Sequence, residues 1–434
     1  MSVMAGARTP LLAEARRGFA PWAGLIVLMT LGVTLAASAD RWQGGWAETA
    51  ARLHSTMLIT VPAAAAAGCW QGGRERRRRT EELWGTVVRP PLVRFLVSAL
   101  PMALWVAAGY LGAAALALLA TWPYALGDAP RPALVPTDAF VSGAAVLAGQ
   151  VVGRAAPWRL AAPLLAVAGY VGLGLPAVAL SGAGRYLDPA LAITETSVPV
   201  WWQPVAMAVW AGGLAGAAVL AYAARRRWTA LLPLAAATAA AVLLTQTADG
   251  PWRTDPLAHR QVCDTSVTPA VCVNARYAGA LPQLTEALSD VTGKLNGVRN
   301  LPVRWADRYG GPRAGEAQLP SLTPLGWSLV RGRLTDPEEF AWEAVGALQL
   351  RADCPDGPAS TADDAVEDYL APLPARQHFD DLDAHGDAKH RAEAAERRAA
   401  RARLAAMDDE ERRTWLSAYF AARADCDPSG VPAL

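Results

Sequence analysis

The sequence predicts an all-α polytopic membrane protein, with about seven transmembrane helices followed by a mainly α-helical extracytoplasmic domain. Three observations predict it. Apolar blocks of about 20 residues, the length that crosses a bilayer core, recur through the first 248 of the chain's 434 residues. The joints between them alternate between arginine-rich and arginine-poor. Beyond position 249 charges are spread throughout, as in a water-soluble domain. The averages, 53% hydrophobic residues and a net charge of +1, hide this division.

The blocks lie at 19–39, 53–70, 95–120, 139–153, 160–181, 201–224 and 228–248, and contain no Asp, Glu, Lys or Arg. A buried soluble core of this length would interrupt its helices with charged faces. Block 19–39 leads into further blocks, so it reads as a span and not as a cleaved signal peptide. Block 139–153 is the shortest. Residues 1–18 carry the amphipathic stretch TPLLAEARRGFAPW and are expected to form a cytoplasmic interfacial helix.

Fifteen arginines precede the first block or lie in the joints 71–94, 154–159 and 225–227, against four in the alternating joints. The positive-inside bias then puts the N-terminus in the cytoplasm, and seven crossings put residues 249–434 outside. Cys263, Cys272, Cys354 and Cys426 all fall in that last segment. An even number suits an oxidising compartment. Proximity suggests Cys263–Cys272 and Cys354–Cys426 disulfides, the alternative being four buried thiols; no Cys-x-x-Cys spacing points to zinc. Tryptophans gather at the block ends, at headgroup level. The preference for arginine over lysine, 38 against 2, points to a GC-rich bacterial genome and hence to a bacterial cell membrane.

One joint contains more than charge. In GCWQGGRERRRRTEELWGTVVRPPLVRF, Thr80 suits an N-cap, Glu81 and Glu82 fall in a first turn, and Leu83, Trp84, Val87 and Val88 share one face. Arg89 precedes two prolines that stop the helix. A helix of 80–89 is too short to stand alone. It docks either on the membrane surface or in the groove of a cytoplasmic partner.

An N-terminal interfacial helix, six spans and a short amphipathic helix between spans two and three resemble the membrane subunits of ABC-2-type transporters. The resemblance covers residues 1–224 and is one of architecture. It implies that Thr80 to Arg89 form the coupling helix that contacts a separately encoded ATPase, and that the subunit works as a homo- or heterodimer. The seventh span and the exterior tail go beyond the six-span plan. The segment QVCDTSVTPAVCVNARYAGALPQL is also similar to extracytoplasmic parts of permease-like bacterial membrane proteins.

Ion-coupled transport needs ionisable groups at membrane depth, and the spans are read as having none. Gln150, Thr34, Thr60, Thr238, Thr245 and Gln246 are expected to bond between helices or to their own backbone. Gly212 and Gly216 permit a close helix approach, within the chain or across a dimer. Pro62, Pro101, Pro163, Pro176 and Pro233 mark possible kinks. There is no Walker A pattern, no Gly-x-Ser-x-Gly elbow and no His-Glu-x-x-His pair. The chain is therefore expected to be no enzyme, to hold no cofactor, and to have the bilayer and an ATPase, but no nucleic acid, as partners.

The exterior segment reads as helical at ALPQLTEALSDVTGKL and at TDPEEFAWEAVGALQLRADC, the latter capped by Asp336. LDAHGDAKHRAEAAERRAARARLAAM reads as a solvated charged helix, and Trp415, Leu416, Tyr419 and Phe420 as core anchors. His378, Asp381, His385 and His390 cluster in sequence, but Gly386 interrupts the helix and the surroundings suit solvent. Two functions are weighed: the permease subunit of an ATP-driven transporter, and a membrane-anchored envelope-ligand binding or sensory protein without transport activity.

Overall fold

The computed structural model describes residues 15–16, 18–77, 90–156, 158–179, 182–247, 250–322, 329–349, 361–424 and 430–434. The chain divides into two compact units. The first runs to Asp255 apart from Gln43–Gly45 and Tyr124–Asp128, which join Pro256–Leu434 in the second.

The main helices of the first unit are α1 (Ala20–Ala36), α2 (Trp46–Ser55), α3 (Met57–Gly72), α4 (Pro91–Thr121), α5 (Val135–Ala155), α6 (Ala161–Ala179), α7 (Gln203–Ala223) and α8 (Leu231–Gln246). Proline occupies the first turn of α1, α4, α5 and α7. There its missing N–H costs nothing and its fixed φ favours the helix. A short antiparallel pair, β1 (Ser197–Pro199) with β2 (Trp252–Thr254), also belongs to this unit.

Four helical segments, Pro91–Tyr124, Pro132–Ala155, Gln203–Ala223 and Arg227–Gln246, are long and apolar enough to cross a membrane. The expected seven spans are not supported. Blocks 19–39 and 53–70 yield helices of 17 and 16 residues, roughly 25 Å at 1.5 Å per residue, short of a hydrocarbon core about 30 Å thick. α1 stops where the Trp42 indole donates to the Leu35 carbonyl at 2.9 Å. Block 53–70 is cut at Thr56, whose hydroxyl bonds back to the Leu53 carbonyl and separates α2 from α3. In block 160–181 the apolar helical stretch is Ala161–Leu175. Block 139–153, the shortest in sequence, proves long because its helical segment reaches back to Pro132.

α5 is the hub. It packs on α3, α4 and α7, while α1 lies on α4, α6 on α3 and α8 on α7. Glycines set the closest crossing. A Cβ on Gly149 or Gly153 of α5 would overlap the carbonyl oxygens of Ala65 and Cys69, and one on Gly68 or Gly72 of α3 would overlap those of Val146 and Gln150. The two helices run in the same direction with their backbones in contact, the small-residue packing of helices in lipid. Gly212 meets the Phe140 ring and Gly216 the Pro233 ring, so both pack within the chain.

The second unit corrects the all-helical expectation. A four-stranded mixed sheet joins β3 (Gln261–Asp264), β4 (Ala270–Asn274), β5 (Arg304–Ala306) and β6 (Glu316–Gln318) in that order, the first pair antiparallel and the others parallel. Strands of three to five residues are too short for alternation to register in the sequence. A two-stranded pair, β7 (Leu329–Val330) with β8 (Arg333–Leu334), follows. Helices α9 (Leu281–Ala287), α10 (Ser289–Lys294), α11 (Pro337–Gln349), α12 (Thr361–Leu370), α13 (Ala375–Ala384), α14 (Ala388–Ala406) and α15 (Asp409–Ala424) complete the unit. The helix read over 280–295 breaks at Leu288, which leaves α9 and α10. Asp336 caps α11 as expected, accepting from the Glu339 N–H at 2.9 Å.

Trp305 of β5 is fully buried and donates to the Ala344 carbonyl of α11 at 2.9 Å. Leu416, Tyr419 and Phe420 are buried in the same core, with Trp415 at its edge. α14 is more than a solvated helix: Ala394, Ala400 and Leu404 are buried, and Arg401 bridges Asp364 and Asp380.

Candidate functional site

Polar chemistry gathers at the two ends of the α3–α5 pair. At the end where the arginine-rich joint leaves α3, Arg154 of α5 donates to Glu75 at 3.1 Å and to the Ser98 hydroxyl of α4 at 2.8 Å. Ser98 also accepts from the Gln150 amide at 2.7 Å, and the Arg154 guanidinium lies 5.0 Å from the Phe95 ring centroid. Arg77 donates to the Trp70 carbonyl and stacks on the Trp70 ring, at 4.1 Å. The base of the basic joint is thus fixed to three helices by charge-assisted bonds. The expected coupling residues Thr80, Glu81, Glu82, Leu83, Trp84, Val87, Val88 and Arg89 lie outside the described residues.

At the opposite end three buried side chains meet. His54 of α2 places Nδ1 3.0 and 3.1 Å from the two carboxylate oxygens of Asp138 in the first turn of α5. The phenol of Tyr110, from the middle of α4, donates to Asp138 at 2.9 Å. All three are at most 5% exposed. A carboxylate taken out of water needs such donors. The Thr49 and Thr121 hydroxyls, 2.7 Å apart, add a further tie between α2 and α4.

Asp188, Gln203 and Trp252 line a small cavity beside the cluster together with His54 and Asp138. The cavity leaves about 10 Å³, roughly the room of one water. Asp188 Oδ2 and Gln203 Oε1 are buried with no hydrogen-bond partner among the described residues. Burial raises the Asp188 carboxyl above its ordinary range, opposed by the Ala190 N–H and by His54. Arg131 and Asp255 form an ion pair in the same unit.

This end was missed in the sequence. His54 lies inside block 53–70 and Tyr110 inside block 95–120, so the reading of the blocks as free of ionisable groups holds only for Asp, Glu, Lys and Arg. Asp138 stands one residue before its block, where it reads as a joint residue. A histidine inside an apolar block was the available signal. The expected bland roles of the other polar residues fit: Thr34, Thr60, Thr238 and Thr245 bond to their own helix backbone, and Gln150 bonds to the next helix.

In the second unit Cys263 and Cys272 are disulfide-bonded across the β3–β4 pair. Cys354 and Cys426 lie outside the described residues. His385 Nδ1 bonds to the Asp381 carbonyl at 2.6 Å and His390 to the Asp387 carboxylate at 2.8 Å. With His378, these residues are not brought into a metal-binding group among the described residues. Gly386 and Asp387 separate α13 from α14, and Asp387 caps α14.

No protein family, no curated protein and no solved structure matches the chain.

Proposed function

We propose that the chain is the membrane-spanning permease subunit of an ATP-driven, ABC-2-like transporter that works with a separately encoded ATPase. The observation that carries this reading is the mounting of the arginine-rich joint. Glu75 and Arg154 with Ser98 tie its base to α4 and α5, Arg77 on Trp70 ties it to α3, and the glycine contacts leave α3 and α5 no room to slide independently. A push on residues 78–89 by a partner then moves a packed three-helix body, the mechanical property a coupling element needs.

The same reading puts the arginine-rich end in the cytoplasm and the second unit outside the cell. The Cys263–Cys272 disulfide supports that side, since such bonds persist in oxidising compartments.

The experiment is affinity purification of the intact chain from its native membrane in mild detergent, beside a Leu83→Asp, Trp84→Asp variant and an Arg154→Ala variant. The proposal expects a nucleotide-binding subunit with the wild type and its loss from the double variant. For Arg154→Ala it expects retained association but uncoupled ATP hydrolysis. Absence of an ATPase from the wild-type sample overturns it.

A further inference from the structure

An open cleft of about 930 Å³ lies in the second unit among α9, α10, α11, α12 and the turn before α13. Its apolar floor rests on the buried Val291, Ala341, Leu370 and Ala371 and is open to solvent at Leu334, Pro372, Leu373 and Pro374. Five carboxylates line it, Glu286, Asp290, Glu338, Asp368 and Asp380, against three cations, Lys294, Arg376 and Arg401.

The cations are already engaged. Arg376 pairs with Asp364 and, at 2.5 Å, with Glu367. Arg401 pairs at 2.6 Å with both Asp364 and Asp380. The Lys294 ammonium donates to the Tyr369 and Leu370 carbonyls at 2.8 and 3.2 Å and lies 5.5 Å from the Tyr369 ring centroid. Glu286, Asp290, Glu338 and Asp368 have no ion-pair partner among the described residues. Lys294, bonded to neutral carbonyls, offsets one of these four carboxylates, and the cleft keeps a net negative charge above an apolar floor.

Lys294 also shows what the cleft accommodates. It seats an ammonium group on the last carbonyls of α12, where the helix dipole favours positive charge. The volume is near the upper end of ligand sites, roughly 300–1,000 Å³, far more than one amine fills. Charge complementarity selects a cation, and the floor selects a ligand that also carries apolar side chains.

We propose that this cleft binds a basic peptide segment, its lysine or arginine side chains on the Glu286, Asp290, Glu338 and Asp368 carboxylates and its apolar side chains on Pro372, Leu373 and Pro374. The site belongs to the second unit alone and does not depend on partnership with an ATPase.

The test uses the full chain in nanodiscs of zwitterionic lipid and the fluorescein-labelled hexapeptide Lys-Leu-Lys-Leu-Lys-Leu, read by fluorescence anisotropy against empty nanodiscs. Saturable binding is expected, weakening as salt rises. The Glu286→Gln, Asp290→Asn, Glu338→Gln variant should lose about tenfold in affinity, the sum of three modest charge contacts. Asp368→Asn should lose less, in the same direction. A Glu410→Gln, Glu411→Gln variant, altered on the exposed start of α15, should bind as the wild type does. No binding above empty nanodiscs, full affinity in the triple variant, or equal binding of Glu-Leu-Glu-Leu-Glu-Leu overturns the proposal. Because the three substituted residues are exposed, unchanged thermal unfolding of the triple variant is the accompanying control.

Discussion

Replacing Gly149 by alanine tests whether the α3–α5 crossing holds the helical unit together. The added Cβ would overlap the Ala65 carbonyl oxygen and stand 2.7 Å from the Ala65 carbonyl carbon. Ordinary contact begins at 3.4 Å, so clearing the oxygen parts the helices by more than an ångström, and a close-packed interface loses dispersion contacts along its length. Overpacking of this kind costs about 1–3 kcal/mol, while alanine regains up to about 1 kcal/mol of helix propensity over glycine. The contact is with backbone, which no rotamer change relieves, so the cost should win by about 1–2 kcal/mol. Gly172 in α6 provides the contrast: nothing lies within 4 Å of its Cβ position, and Gly172→Ala should be neutral or slightly stabilising. Thermal unfolding of the purified chain in one detergent, followed by loss of monodisperse protein, reads both. If Gly149→Ala unfolds with or above the wild type, the close approach is not what holds α3 to α5.

Three further outcomes are expected. Glu316 accepts from Arg304, Arg308 and the Arg313 N–H, and the Arg308 hydrogen bonds in particular hold its carboxyl down at about 2. A depressed carboxylate stabilises fully above its unfolded pKa and progressively less as pH falls toward the folded value, so up to about 3 kcal/mol should vanish between roughly pH 4.5 and 2. Hydrogen exchange over residues 301–319 should show this loss in the wild type and a flatter pH response in Glu316→Gln. Asp138→Ala leaves His54 and Tyr110 buried without their acceptor and should cost about 2–4 kcal/mol, with Asp138→Asn recovering part; thermal melts in detergent check it, and an unchanged melt removes the cluster as a structural tie. Cys272→Ser opens a loop whose ends are nine residues apart, a loss of roughly 2.5 kcal/mol, which should match the effect of a reducing agent on the wild type in a urea titration.

What the sequence made legible follows the range of the interactions. Block length and proline placement act locally, so the long helices over 95–120, 201–224 and 228–248 were readable, as were the Asp336 cap and the Cys263–Cys272 pair. Span number was not, because helix ends depend on individual side-chain bonds. Thr56 and Trp42 end helices inside blocks that are uninterrupted by composition. The sheet of the second unit escaped because its parallel strands pair residues 34 and 12 apart, Val271 with Trp305 and Trp305 with Ala317, and three-residue strands carry no period.

The polar sites failed to show for a related reason. His54, Tyr110 and Asp138 come from three helices, and only the histidine stands out alone: it sits at a block edge, the tyrosine among alanines, and the aspartate two residues after a proline. Burial makes them a unit, because in an apolar bundle each group needs the others. The same holds at the far end for Glu75, Ser98, Gln150 and Arg154. Both ends are polar, and the α3–α5 crossing, made of glycine and backbone, runs from Ala65 and Val146 to the arginine-rich end at Gly72 and Gly153. That distribution favours a helix pair that moves as one piece, clamped at its arginine-rich end. A load on the arginine-rich joint would then be felt at the His54–Asp138 contact about 25 Å away, the length of α3 at 1.5 Å per residue. A cysteine pair across α2 and α5 near His54 and Asp138, cross-linked in the presence and absence of ATP and the ATPase proposed above, would register that motion. Equal cross-linking in both states would mean that the load stops at the glycine crossing.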